Sequence, residues 1–98
     1  MATFITTIKF TPQGITNIQD TCKRAAAFKA AAKKIGGKVT ATYWTQGAFD
    51  GVLIFEADDD DTASALMVHL GSQGNVQTQT VRAHTAAEME KILAAAGK

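Results

Sequence analysis

The four residues "VLIF" at positions 52–55 are all apolar; they follow "GAFDG" and run directly towards four consecutive aspartates. A strand with one face in water alternates apolar and polar side chains, so an unbroken apolar run of this length belongs to a strand covered on both faces. A chain of 98 residues must find both covers from very few elements.

The flanking segments define those elements. "TFITTIKF" (residues 3–10) is rich in Thr, Ile and Phe, and the period-two rule puts Phe4, Ile8 and Phe10 on one face with Ile5 on the other, which predicts a first strand. "TPQG" predicts a turn, with Pro12 suited to its second position and Gly14 to its fourth. From Ile15 the apolar residues Ile18, Cys22, Ala25, Phe28, Ala32 and Ile35 recur every three or four positions, which predicts one long amphipathic helix. Thr16 with Gln19 fits a capping box at its start, and Gly36-Gly37 supply the stop.

"KVTATYWTQ" (residues 38–46) predicts a second strand with Val39, Ala41 and Tyr43 on one face and Thr40, Thr42 and Trp44 on the other. "GAFD" is then a tight connection into the third strand, residues 51–57, closing an antiparallel hairpin. The aspartate run opens a second helix with the stripe Ala63, Leu66, Met67 and Leu70, ended by Gly71. "GSQGN" leads to a fourth strand, residues 76–84, and Thr85 with Glu88 caps a C-terminal helix. The order β-α-β-β-α-β-α is the ferredoxin-like arrangement: one α+β domain spanning residues 1–98, a four-stranded antiparallel sheet with two helices on one face, and an extra C-terminal helix. Those two helices cover one side of "VLIF". No residues remain for the other, so a second copy packing sheet to sheet, as a homodimer or higher homo-oligomer, is the expected cover.

Composition restricts the function classes. Hydrophobic residues at 46% and charged residues at 19% describe an ordered globular chain, and a formal net charge of +1 provides no field to recruit nucleic acid or an anionic membrane. The single cysteine, Cys22, fits a reducing compartment, and no signal-type or membrane-length apolar segment is present, so the expected location is the cytoplasm.

No catalytic signature stands out. The run at 58–61 lacks the alternating ligand spacing of a calcium loop and reads as a helix start, so no metal or other cofactor is expected. Cys22 reads as a small hydrophobe on the first helix, and His69 falls beside the stripe of the second. His84 shares a predicted strand face with Arg82, Thr80 and Thr78, either as a solvated edge or as a pocket lining. Asp50 either binds nearby backbone amides or acts as an acid/base group or anion partner. Tyr43, Trp44 and Phe49 are either core and interface aromatics or the walls of a ligand pocket, for which Arg82 is a further binding candidate. "GSQG" matches a phosphate-clamp spacing but joins helix to strand, and the third strand lacks the aromatic pattern that stacks RNA bases.

The segments "FTPQGITNIQD", "RAAAFKAAAKKIGGKV", "GAFDGVLIFEADDD" and "LGSQGNVQTQTVRAHT" together resemble the GYD domain family, with Phe49 where tyrosine is usual in the motif. The resemblance covers nearly the whole chain and implies a dimeric α+β barrel made from two facing ferredoxin-like sheets. The superfamily includes cofactor-free oxygenases, isomerases, haem enzymes and proteins with no known chemistry; as an enzyme the chain is expected, by that analogy, to carry out cofactor-free oxygenase or isomerase chemistry on a small apolar or aromatic ligand in a cleft between sheet and helices, with Asp50 and His84 as acid/base groups. The competing expectation is a non-catalytic interaction or scaffold protein whose function is its oligomeric surface. An enclosed cavity with Asp50 or His84 aimed into it favours the first, and a filled core favours the second.

Overall fold

In a computed structural model, which describes residues 1–97, strand β1 (Ala2–Phe10) is followed by α1 (Pro12–Thr16), a 3₁₀ turn (Ile18–Asp20), α2 (Thr21–Lys34), β2 (Gly37–Trp44), β3 (Gly51–Ala57), α3 (Asp60–Ser72), β4 (Val76–Ala83) and α4 (Ala86–Ala96). The sheet order is β2-β3-β1-β4 with every pairing antiparallel, the ferredoxin-like topology. β3 and β1 are central, so the continuous apolar run of β3 lies where burial is deepest.

On the helix-facing side Phe4, Leu53, Phe55 and Val39 meet Phe28 and Ala32 of α2 and Ala63 and Leu66 of α3. The Phe4 and Phe55 rings stack at 5.2 Å between centroids, and Phe55, Ala32 and Leu66 are wholly buried. Large apolar side chains such as Phe55 and Leu66 stabilise by about 1.5 to 3 kcal/mol each on burial. Thr6 is the one buried polar residue among those described, and its hydroxyl is satisfied by Thr80 Oγ1 at 2.8 Å and the Met67 sulfur at 3.5 Å.

Among the described residues no helix covers the opposite face of the sheet. The ladder aligns Ala41, Ile54, Ile5 and Val81 in one row across all four strands, with Tyr43 and Val52 in the next. Ile5, Val52 and Ile54 are half-buried by their neighbours alone, while Val81 and Tyr43 are 60% and 61% exposed.

The structure corrects several expectations. The single long helix is divided: Thr11 caps α1 by accepting from the Gly14 N–H at 3.1 Å, with Pro12 in the first turn, and Asn17 ends it. Asn17 donates to the Gln13 carbonyl through both its backbone N–H and its side chain, which closes α1 before α2 begins. Thr16 donates its hydroxyl to the Pro12 carbonyl at 2.9 Å instead of forming a capping box. Ile15, in α1, and Ile35, beyond the end of α2, lie exposed, and so does Cys22, which stands about 120° round the helix from the buried Phe28.

β2 carries a bulge. Val39 pairs with Phe55 and Ala41 with Ile54, so Thr40 is extra, and its hydroxyl donates to the Ile54 carbonyl at 3.2 Å. Beyond Thr40 the facing is reversed: Trp44 shares the side of Gly51 and the helices, and Tyr43 joins Val52 on the open face. The β2–β3 connection is a six-residue loop (residues 45–50) with Gly47 at φ +120°, rather than a tight turn. Gly71 lies within α3, and β4 ends at Ala83, leaving His84 exposed beyond the strand.

Candidate functional site

A partly enclosed concavity lies at the end of the sheet where β1 finishes and β3 begins, beneath the first half of α2. Its apolar floor is Ile8, Phe10, Leu53 and Phe28, and Trp44, Arg24 and Asp50 stand round it. Trp44 reaches this side because of the Thr40 bulge, and its indole N–H donates to Thr21 Oγ1 at 3.0 Å, tying the edge strand β2 to the start of α2.

Asp50 is held at three points. Its N–H donates to the Ile8 carbonyl at 2.7 Å, its carbonyl accepts from the Thr45 N–H at 2.9 Å, and its Oδ2 accepts from the Phe10 N–H at 2.8 Å. The carboxylate therefore takes the ladder position that a further β3 residue would have filled opposite Phe10. Arg24 donates to the Asn17 carbonyl at 2.6 Å and to the Gly14 carbonyl at 3.5 Å, placing a cation at the C-terminal end of α1 where the helix dipole favours it.

Beside the cleft two sequence segments interlock, "TPQG" and "SQGN", the second contributing Gln73 and Asn75 to its lining. The Thr11 N–H donates to the Asn75 carbonyl at 3.1 Å and its hydroxyl to the Gly74 carbonyl at 2.6 Å. Gln13 Nε2 donates to the Gln73 carbonyl at 3.1 Å and to Asn75 Oδ1 at 3.0 Å. In the sequence these segments read as two independent turns. The available signal was that each places a glycine and an amide side chain between regular elements, at opposite ends of antiparallel neighbours.

The remaining candidates do not converge on this cleft. Tyr43 is at its rim, and the half-buried Phe49 sits in the β2–β3 loop, where its carbonyl accepts from the Thr45 hydroxyl at 2.8 Å. Arg82 projects on the helix side of β4, with its guanidinium 5.6 Å from the centre of the Phe4 ring and donating to the Thr3 and Ala83 carbonyls. With Thr78, Thr80, Met67 and Asp60 it lines a separate open groove between α3 and β4, about 520 Å³ in volume. Asp50 neighbours Ile8 and Phe10 while His84 follows Ala83, the ladder partner of Thr3, so the two lie at opposite ends of β1, roughly 20 Å apart at ~3.3 Å per residue. A single proton transfer cannot use both.

The cleft itself holds about 70 Å³. Sites for drug-sized molecules occupy about 300 to 1,000 Å³, so this cavity accommodates only a few heavy atoms unless Trp44 or Arg24 moves. Among the described residues no group of three or more His, Cys, Asp or Glu is arranged to hold a metal ion, and no helix is long and apolar enough to cross a membrane.

The aspartate run starts α3. Asp59 Oδ1 accepts from the Thr62 N–H at 2.8 Å, and that bond holds its carboxyl below the ordinary value of 3.8. His69 is exposed on α3, with its ring 6.4 Å from that of Phe28.

Fold and cleft together define a small ferredoxin-like α+β protein whose open sheet face carries one apolar row across all four strands, flanked by Lys38, Glu56, Thr7 and Gln79. The chain belongs to the GYD domain family, which it matches over residues 4–93. It is 31% identical over 90 residues to a Thermus thermophilus protein named glutamine synthetase and cystathionine beta-lyase binding protein, covering 91% of this chain and 95% of that one. The crystal structure of TTHA0845, also from Thermus thermophilus, superposes with a TM-score of 0.57 at 20% identity, over 88% of this chain and 96% of the other, a likeness of fold.

Proposed function

We propose that this chain is a non-catalytic, cytoplasmic binding protein that works as a homodimer and engages a larger enzyme, of the kind named for its Thermus relative: glutamine synthetase or cystathionine beta-lyase. The observation that carries the reading is the row Ala41, Ile54, Ile5 and Val81, which crosses every strand on a face that no other described element covers. Contiguous apolar surface of that kind marks a protein interface. A second copy, related by a two-fold axis, brings the same row against itself and completes the cover that β3 requires.

Two features of the cleft support binding over catalysis. Its volume is below that of an ordinary substrate pocket, and its one carboxylate is engaged by the Phe10 N–H. The test is to titrate the purified chain against purified glutamine synthetase and cystathionine beta-lyase while following mass by sedimentation. The expected result is a dimer on its own and a saturable complex with at least one of the enzymes at micromolar concentration. A monomer that binds neither enzyme overturns the reading.

A second reading rests on the juxtaposition of Arg24, Asp50 and Trp44 over the apolar floor of the cleft. It makes the cleft a site for a small apolar or aromatic molecule, with cofactor-free oxygenase or isomerase chemistry as the associated activity and Asp50 as the acid/base group. Native mass spectrometry of freshly purified protein tests it: a retained organic molecule, lost in Trp44→Ala, supports it, and a clean protein mass opposes it.

A further inference from the structure

The cleft beneath α2 is lined by two opposite charges that are bonded to backbone rather than to each other. Asp50 Oδ2 accepts from the Phe10 N–H, and Arg24 donates to the Asn17 and Gly14 carbonyls. Phe10 and Gly14 adjoin, since a Cβ on residue 14 would stand 3.3 Å from the Phe10 ring, so both charges are anchored on the same turn of chain. Each keeps bonding capacity. Asp50 Oδ1 has no partner among the described residues, and because no unpartnered side-chain oxygen or nitrogen is buried there, it is open to solvent. Two of the five guanidinium N–H groups go to the carbonyls, which leaves the others for an anion. Both side chains line a cavity whose floor, Ile8, Phe10, Phe28 and Leu53, is apolar.

We propose that this cleft binds a small apolar α-amino acid of the valine type, its ammonium held by Asp50, its carboxylate by Arg24 and its side chain in the cavity. The inference rests on the second reading above, that a small molecule occupies the cleft, and needs none of the chemistry attached to it. Size selects the side chain. A dry apolar cavity of about 150 Å³ takes benzene, with its six carbons, so the about 70 Å³ here takes roughly three, an isopropyl group. Charge selects the head group. A plain carboxylate would set its charge beside Asp50 as well as Arg24, and a plain amine beside Arg24 as well as Asp50, whereas a zwitterion supplies each with an opposite partner.

Trp44 is the single tryptophan of the chain and lines the cleft, so its fluorescence reports occupancy directly. Titration of the full chain with L-valine should give a saturable change below about 10 mM, a range open to a ligand this small. Glycine, which leaves the cavity empty, and L-phenylalanine, which overfills it, should bind at least about tenfold more weakly, as should isovalerate and isobutylamine, each of which lacks one of the two charges. Arg24→Gln and Asp50→Asn, their fold checked by circular dichroism, should each weaken valine by at least about tenfold, and the ligand series on the parent chain decides the matter where a variant does not fold. Isovalerate or isobutylamine binding as tightly as valine overturns the zwitterion, and so does valine binding unchanged in both folded variants. A response to isobutanol or toluene but to no amino acid overturns the proposal and leaves the cleft as a site for apolar molecules. No response to any of them overturns the second reading as well.

Discussion

Gly14 lies directly under the carbonyl of Asn75, so closely that a Cβ on residue 14 would fall 2.0 Å from that oxygen. The contact joins α1 to the segment that enters β4, and Thr11 and Gln13 bond to the same loop. Gly14→Ala must push the two backbones apart and lose those bonds, at an expected cost of about 3 kcal/mol. Urea denaturation measures it; a midpoint equal to the parent's would show that the loops part without penalty.

Asp50 can be separated into its structural and chemical parts. Removing the carboxylate in Asp50→Ala leaves the Phe10 N–H without its partner, for which about 1 to 3 kcal/mol is expected. Asp50→Asn keeps an acceptor at the same place and should lose less than half of that. Thermal melts of the two variants decide the matter, and equal losses would mean that the negative charge, rather than the hydrogen bond, is what the site uses.

The open face gives a prediction independent of any partner enzyme. Ile54→Lys puts a charge in the centre of the row Ala41, Ile54, Ile5 and Val81 without touching the helix-side core. On the proposed dimer, a monomer with native circular dichroism is the expected product, detected in sedimentation as half the mass of the parent. Retention of the dimer would move the interface to another surface.

The cap of α4 carries a pH dependence. The Glu88 carboxylate accepts from the Thr85 N–H at 2.8 Å, and this bond is the main cause that sets its acidity stronger than the ordinary value of 4.5. A carboxyl whose folded value is depressed contributes its stability above the unfolded value and loses it as pH falls through the folded one. Amide protection in the first turn of α4 should therefore be flat from neutrality to about pH 5 and decline below 4.5, and Glu88→Gln should abolish that decline. A decline that persists in Glu88→Gln assigns it to another group.

The element order, the ferredoxin-like topology and the starts of α3 and α4 were legible because each rests on local chemistry: alternation in residues 3–10, the aspartates at 58–61, and Thr85 with Glu88. The division of the first helical segment was not, because the period of Ile15, Ile18 and Cys22 continues through Asn17 as if the helix did. The break is imposed by Thr11 capping α1 and by Gly14 docking against Asn75, a residue 61 positions away. The cleft was half legible: its aromatic and acidic residues could be named, but the face on which Trp44 lies depends on a bulge that leaves no mark in residue type. His84 and Asp50 were combinable only while the ladder register was unknown; the register sets them at the two ends of β1.

The extra residue in β2 changes the parity of the strand. Odd positions face the helices before Thr40 and even positions after it, so Val39 and Trp44 share a side and Tyr43 looks outward. The usual ranking of mutational severity is inverted there. Deleting Thr40 leaves each aromatic on its present side and only straightens the edge, whereas a substitution that draws residue 40 into a regular ladder would turn the indole outwards and the phenol inwards. At this one position losing a residue is the conservative change, because it leaves the facing of every other side chain in the strand as it is.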